Sequence, residues 1–242
     1  MKKLGKYFIF LGLLVTRRES FKTYIKLTLE ESVSFGINSL FITVIVSVFI
    51  GAVTCVQTAY NLVSPIIPDY IISLVVRDST ILELAPTVTA IVIAGKAGSH
   101  IAGQLGTMRI TEQIDALEIM GINAASYLVL PKIIAAVFTF PMLVTLAMAL
   151  AMIGGYIAGV STGIISAEAY IQGIQAEFIP FYVNYALIKA VVFGFLIASI
   201  SAFQGFYTKG GALEVGQSST SAVTTSCIAI LFADYILTDV MF

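Results

Sequence analysis

Three ionisable residues lie within stretches of the chain that are otherwise apolar, and these side chains are the best placed to do chemistry. They are Lys96, Lys189 and Asp234. A charged residue at the centre of a membrane helix costs about 2.5–3.5 kcal/mol on insertion scales, so it normally faces the protein interior or a water-filled cavity. Both lysines are therefore candidates for binding an ion or a substrate. For Asp234, a structural hydrogen bond and a role in a proton relay both remain open.

Glu83 is a possible partner for Lys189, because the two residues are expected at similar depth. Glu83 lies at the predicted outer start of one apolar segment, and Lys189 lies about eight residues from the outer end of another. A lysine side chain is long enough to reach toward that surface while its stem stays buried. A structural ion pair and a binding role are both compatible with this spacing. His100 is the only histidine in the chain, so a role in helix packing is expected rather than a metal site.

A short amphipathic pattern follows the segment that contains Lys96. It predicts a helix over residues 107–120, which continues from the preceding segment without a proline break. At 3.6 residues per turn the apolar and acidic side chains fall on opposite faces, with Ile110, Ile114 and Leu117 on one and Glu112, Asp115 and Glu118 on the other. The acidic face is either solvated or in contact with a partner protein.

The composition indicates how these residues are positioned. The chain is 58% hydrophobic and 11% charged, whereas soluble domains carry about 25% charged residues. We therefore predict an all-α integral membrane protein with about five transmembrane helices, since each crossing needs about 20 apolar residues. The predicted spans cover residues 37–56, 84–106, 134–157, 181–203 and 222–241. The segment from Asp69 to Val76 is too short to cross, so a separate surface helix is expected there.

Two short helices are expected before the first span, over Leu4 to Val15 and Phe21 to Val33. They are predicted to lie along the membrane surface within an N-terminal region of residues 1–35. Lys2, Lys3 and Lys6, followed by the apolar run from Tyr7 to Val15, also have the outline of a signal peptide, but no small-x-small cleavage site follows.

The distribution of basic residues predicts the orientation. With the N-terminus in the cytosol and five spans, the C-terminus is external. The cytosolic segments then hold ten Lys or Arg residues and the external segments hold one, Arg77. The ten are Lys2, Lys3, Lys6, Arg17, Arg18, Lys22, Lys26, Arg109, Lys132 and Lys209. The helix over 107–120 would therefore face the cytosol. A net charge of −1 with no basic stripe argues against a nucleic-acid partner.

The stretch from Glu83 to Gly121 resembles the signature of the MlaE-type permeases. The matching motifs are ELAP (Glu83 to Pro86), AGKAGS (Ala94 to Ser99), QLGTM (Gln104 to Met108) and TEQIDALEIMG (Thr111 to Gly121). Three residues depart from the family pattern: Lys96 replaces an arginine, His100 a small residue and Gln104 an acid. These permeases are membrane subunits of ABC transporters that move phospholipids between bacterial envelope membranes with the help of MCE-domain proteins.

The resemblance implies a permease domain over residues 36–242 in the cell inner membrane. It implies a homodimer with a cytosolic ABC ATPase dimer and an external MCE-domain lipid-binding protein, with phospholipid as substrate. The outer half of such permeases holds the lipid, which makes Glu83, Asn184 and Lys189 candidates for lipid binding. The coupling helix over 107–120 would transmit force from the ATPase through Arg109, Glu112, Asp115 and Glu118.

The chain itself is not predicted to be an enzyme. It has no G-x-x-x-x-G-K-[ST] phosphate-binding motif and no pairing of a nucleophile with a base. No cofactor is expected in this chain, since ATP and magnesium would bind to the partner ATPase. One alternative is an ion-coupled secondary transporter or channel that uses Lys96, Lys189 and Asp234, although no internal repeat is present. A purely structural membrane scaffold is the other.

Overall fold

The computed structural model describes residues 2–14, 21–62 and 68–241, and within these ranges the chain forms helices and no strand. The α-helices are α1 (Lys2–Leu13), α2 (Phe21–Ser32), α3 (Asn38–Asn61), α4 (Tyr70–Ser79), α5 (Thr89–Ile93), α6 (Ser99–Ile110), α7 (Gln113–Ile119), α8 (Ala124–Ser161), α9 (Ala167–Gln175), α10 (Pro180–Phe206) and α11 (Ala212–Met241). Three π-helical segments lie between them: π1 (Val33–Ile37), π2 (Thr80–Val88) and π3 (Ala94–Gly98).

Five helices are long and apolar enough to cross a membrane, which confirms the predicted all-α membrane fold. Because the π-helical segments join neighbouring α-helices without a break, the first two are Lys22–Asn61 and Tyr70–Ile110. The other three are α8, α10 and α11. Each of the five predicted spans lies inside one of these helices. The helices extend beyond the predicted spans because the patterning identifies only the residues that match the apolar layer.

The first long helix differs from the sequence prediction at its start. The helix expected along the membrane surface over Phe21 to Val33 runs directly into the first span, so the predicted boundary at residue 35 falls inside a continuous helix. Neither proline nor a capping bond stops it, and Ser32 donates its hydroxyl to the Thr28 carbonyl within the helix, at 2.7 Å. Arg17 and Arg18, which entered the orientation prediction, lie outside the described residues.

The second long helix also begins earlier than predicted. The segment from Asp69 to Val76 is not a separate surface helix, because α4 continues through π2 into the span. The N-terminal part of this long helix, α4, packs against α9, and the two form a layer at that end of the helix. Arg77, which is buried, holds this layer together by donating from Nη1 to three carbonyls at the end of α9. The acceptors are the carbonyl oxygens of Gly173 at 3.4 Å, Ile174 at 2.8 Å and Ala176 at 2.5 Å.

The core of the protein lies between α8 and α10, with α3 packed on the other side of α8. The contact between α3 and α8 is a backbone-to-backbone approach. A Cβ atom at Gly51 would overlap the Ala151 carbonyl, and one at Gly154 would overlap the Val48 carbonyl. Small residues permit this approach, as is usual where membrane helices pack closely. The last helix, α11, is the least covered of the five.

Candidate functional site

Three charged side chains from three spanning helices meet near the end of the protein that carries α4 and α9. Lys189 of α10 places its Nζ 2.6 Å from Glu83 Oε1 of π2 and 2.6 Å from Asp234 Oδ1 of α11. We call these residues the triad. The pairing of Lys189 with Glu83 was expected from their depth. For Asp234, a structural hydrogen bond or a proton relay was expected without a named partner, and the structure makes it the second partner of the same lysine.

The backbone of π2 also contributes to the triad. Lys189 Nζ donates to the Leu82 carbonyl at 3.2 Å, in addition to its contact with the Glu83 carboxylate. Both acceptors belong to π2, the π-helical segment that contains Pro86 and packs against α10. The lysine is therefore held by main-chain as well as side-chain groups of the second long helix.

Hydroxyl groups complete the network around the triad. Thr87 donates to Asp234 Oδ2 at 3.2 Å and lies 3.4 Å from Glu83 Oε2. Thr238 lies 3.4 Å from Glu83 Oε1 and 2.8 Å from the Tyr185 hydroxyl. The Tyr185 ring also faces the ammonium, with its centroid 4.6 Å from Lys189 Nζ. An ammonium surrounded in this way has its charge well compensated, as a buried lysine requires.

The triad members differ in their exposure, and this decides what each can contact. The Lys189 side chain is 0% exposed, whereas that of Asp234 is 15% and that of Glu83 is 44% exposed. With one cation and two carboxylates, the cluster carries a net charge of −1 when all three are ionised. Glu83 is thus the member that a ligand or partner at the surface would touch first. Lys189 reaches such a ligand only if its carboxylates move aside.

Asn184, the third residue predicted to bind lipid, lies on a different face of α10 from Lys189. It is exposed, and with Ile188 and Val191 it lines an open apolar groove of about 450 Å³. The structure therefore brings Lys189, Glu83 and Asp234 together and leaves Asn184 outside this group. Spacing alone predicts the difference, since five residues correspond to about 140° around a helix.

The predicted coupling helix over 107–120 forms in two pieces rather than one. Residues 107–110 end α6, where Thr111 bonds back to the Thr107 carbonyl through its N–H at 3.0 Å and its hydroxyl at 2.8 Å. Glu112 then takes a left-handed conformation with φ of 60°, and α7 follows. This turn lets Ile114 bury its side chain fully against the core.

The four residues predicted for coupling do not form one uniform acidic face. Arg109 Nη1 lies 2.6 Å from Asp115 Oδ1, so this carboxylate is neutralised within the chain. Glu112 and Glu118 are exposed. The surface also carries two apolar residues that the sequence analysis missed: Ile119 is 86% exposed and Met120 is 65% exposed. Both residues lie at the end of the amphipathic pattern and outside its buried face. This position in the sequence could have identified them as exposed apolar residues.

Lys96 is the remaining intramembrane candidate. It lies well after Glu83 on the second long helix and contacts different residues from those of the triad. Its ammonium contacts the Asn38 carbonyl, and its side chain is exposed. Lys132, counted among the cytosolic basic residues, is buried within α8 and bonded to Glu31 at 2.5 Å. Lys132 lies about two turns after the start of α8 at Ala124, so its assignment to the cytosolic side stays a prediction while its side chain is part of the protein interior.

Comparison with known proteins gives a consistent result over nearly the whole chain. The family model described as Permease MlaE matches residues 28–240. A probable ABC transporter permease protein of Rickettsia bellii is 36% identical over 241 residues, covering 100% of this chain and 93% of that protein. The intermembrane phospholipid transport system permease protein MlaE of Haemophilus influenzae is 28% identical, covering 97% and 90%. The chloroplast protein TRIGALACTOSYLDIACYLGLYCEROL 1 of Arabidopsis thaliana is 32% identical, covering 97% and 67%.

Proposed function

The chain belongs to the MlaE permease family of ABC transporters, and we propose that it moves phospholipids between the membranes of the bacterial envelope. In this role it would help to maintain the lipid asymmetry of the outer membrane. The observation that carries the proposal is the family match over residues 28–240. A relative that covers 97% of the chain is named for intermembrane phospholipid transport. The chain would be a multi-pass protein of the inner membrane, with its N-terminus in the cytosol and its C-terminus external.

The energy for transport is proposed to come from a cytosolic ABC ATPase dimer that binds ATP and magnesium. Its docking surface would be α7, which lies between two spanning helices. The exposed carboxylates of Glu112 and Glu118 could pair with basic residues of the partner, and the exposed Ile119 and Met120 could pack against its apolar residues. Because Ile114 is anchored in the core, a displacement of α7 would be passed directly to the spans on either side.

The same proposal includes a homodimer and an external MCE-domain partner. A helix that crosses a membrane with little cover has a face available for lipid or for a second copy of the chain. The least covered helix, α11, exposes large apolar side chains along its length, among them Ile228, Phe232 and Tyr235. Two copies facing each other through this region would enclose a larger space than a single chain does. The outer layer of α4 and α9 is the surface proposed to meet the MCE-domain protein.

For the lipid itself, the triad is the proposed contact in the outer half of the permease. A headgroup would meet Glu83 first, because its side chain is the most exposed of the three. A phosphate would then compete with the carboxylates for Lys189. The apolar groove beside Asn184 would accept acyl chains rather than the headgroup, since its other lining residues are aliphatic.

Reconstitution tests this function directly. The chain is placed in vesicles with its ATPase and MCE-domain partners, and transfer of a fluorescent phospholipid to acceptor vesicles is measured with ATP, without ATP, and with an imposed ion gradient. Transfer that requires ATP hydrolysis is expected. Transfer that follows an ion gradient and ignores ATP would establish the secondary-transporter alternative instead.

The docking surface has its own test. Glu112→Lys and Met120→Asp should leave the permease inserted and stable, because both side chains are exposed, but should reduce copurification of the ATPase. A matched control is Glu168→Lys, which reverses an exposed charge on the outer layer. Full ATPase binding and lipid-coupled hydrolysis in the first two variants would remove α7 from the proposed interface.

A further inference from the structure

A second polar site lies between the first and second long helices, away from the triad. It is a cavity of about 200 Å³, open on one side. Its walls are formed by π1 and the start of α3 on one side and by π3 and α6 on the other, and Lys132 of α8 and Glu31 of α2 also line it. This volume far exceeds the share of about 30 Å³ that one water molecule occupies in the liquid. π-helical segments within α-helices occur frequently at functional sites, and here one borders each wall.

The basic groups around the cavity are unequally compensated. Lys132 is 3% exposed, and its Nζ lies 2.5 Å from Glu31 Oε1 and 2.7 Å from Gln104 Oε1. This lysine is therefore paired. Lys96 contacts only the Asn38 carbonyl, and no carboxylate of the described residues forms an ion pair with it. The cavity is thus bordered by a cationic group, Lys96, that has no anionic partner among the described residues.

Two further donors line the cavity and lack acceptors. Ser39 is 1% exposed, and its Oγ has no hydrogen-bond partner among the described residues. A buried hydroxyl without a partner costs about 1–3 kcal/mol, so such a group normally marks a place where something else binds. His100 is exposed, and within the described ranges its ring makes no hydrogen bond. An ammonium, a hydroxyl and an imidazole therefore converge on one space.

The depth of the site makes the uncompensated charge significant. His100 lies ten residues and Lys96 fourteen residues before the end of α6 at Ile110, which is about 15 Å and about 21 Å along the helix. The apolar layer of a bilayer is about 30 Å thick. Lys132, which also lines the cavity, lies eight residues after the start of α8 at Ala124, about 12 Å from that end. The cavity thus extends from the half of the apolar layer next to α7 to the middle of the layer, where an ammonium without a counter-ion is expensive.

We propose that this cavity binds the phosphate group of a phospholipid that enters from the side of the membrane carrying α7. Phosphate oxygens accept from the Lys96 ammonium and the Ser39 hydroxyl, and the His100 ring lies at the entrance. Phe35, Ala97 and Ile101 provide an apolar wall for the glycerol and the first acyl carbons. This site does not depend on the triad or on the direction of transport, because it is built from other helices.

The single histidine of the chain provides a direct probe. The delipidated full-length protein, carrying a tag without histidine and ¹³C-labelled histidine, is titrated in detergent micelles with dioleoyl phosphatidylglycerol. A saturable shift of the His100 ring resonance is expected. Dioleoylglycerol has the same chains without the phosphate and should leave the resonance in place. Inorganic phosphate is the third ligand, and a shift at similar concentration would identify a site for soluble phosphate rather than for lipid.

Variants separate recognition from folding. Lys96→Gln should weaken phosphatidylglycerol binding by about tenfold, which corresponds to about 1.4 kcal/mol. Ser39→Ala should weaken it by a smaller factor, and Lys96→Arg should retain binding because the cation remains. Lys209→Gln, a change at an exposed lysine near the end of α10, is the matched control and should bind normally.

Two outcomes would overturn the proposal. Equal shifts from dioleoylglycerol and phosphatidylglycerol would show an apolar groove without phosphate recognition. No shift with any ligand, together with disulfide cross-linking between copies carrying Asn38→Cys, would show that a second copy of the chain covers the cavity.

Discussion

Replacing Lys189 by methionine should destabilise the protein by about 3 kcal/mol. The change leaves two carboxylates, each 2.6 Å from the former ammonium, without a cation. Breaking a buried ion pair from one side costs about 3–5 kcal/mol. The lower end applies here because Glu83 is 44% exposed and regains water, so that most of the cost comes from Asp234 at 15% exposure. About 3 kcal/mol corresponds to roughly a hundredfold change in the unfolding equilibrium.

The buried thiol of Cys55 offers an assay for this change. In detergent and increasing denaturant, reaction of Cys55 with a maleimide dye reports unfolding, and Cys227→Ser removes the second thiol from the background. Lys189→Met should shift the labelling midpoint clearly downward. A midpoint equal to that of the parent protein would refute the reasoning from buried charge.

A neutral triad separates stability from transport. Lys189→Met combined with Glu83→Gln and Asp234→Asn removes all three charges, so it should recover most of the lost stability. Lys189→Met combined with Glu83→Gln alone should not recover this stability, because the Asp234 carboxylate would still lack a cation. If the triad contacts lipid during transport, the neutral variant should be stable but should have a low rate of ATP-dependent lipid transfer. Full transfer by this variant would restrict the triad to a structural role.

Two further predictions concern the fold and its orientation. A cysteine at Gln113 should react with an impermeant reagent only from the cytosol, and one at Gln172 only from outside; labelling of both from one side would exclude an orientation with five crossings. Gly51→Val should destabilise the protein by more than 2 kcal/mol, since its side chain would overlap the α8 backbone. The control Gly12→Ala meets open space in α1 and should leave the labelling midpoint of Cys55 unchanged, whereas equal effects of both would contradict the close contact.

The sequence predicted the five spans well because a run of apolar residues is itself the physical requirement for crossing a membrane. It also placed Glu83 and Lys189 at similar depth, since position along a helix translates directly into distance. Depth alone cannot give rotation about the helix axis. For that reason Asp234 was not assigned to the same cluster, and Asn184 was grouped with residues from which it faces away.

The places where the backbone departs from a regular α-helix were the least predictable features. Glu112 adopts a left-handed conformation that its residue type does not favour, because the burial of Ile114 compensates for the strain. Likewise, the periodicity of apolar residues does not distinguish a π-helical segment such as π3 from an α-helix. The two nevertheless place their side chains on different faces of the helix. The cavity at Lys96 depends on these departures, so only the structure reveals it.

The triad also constrains the order in which the protein is made. Its members emerge from synthesis as an acid in the second long helix, then a base in α10, and finally an acid in α11. Glu83 therefore enters the membrane before its partner exists, and Lys189 forms a neutral pair with it one hairpin later. Asp234 adds a second negative charge only when the last helix arrives. That helix is the least buried of the five, so its polar bonds to α10 and π2 help to secure it after it enters the membrane.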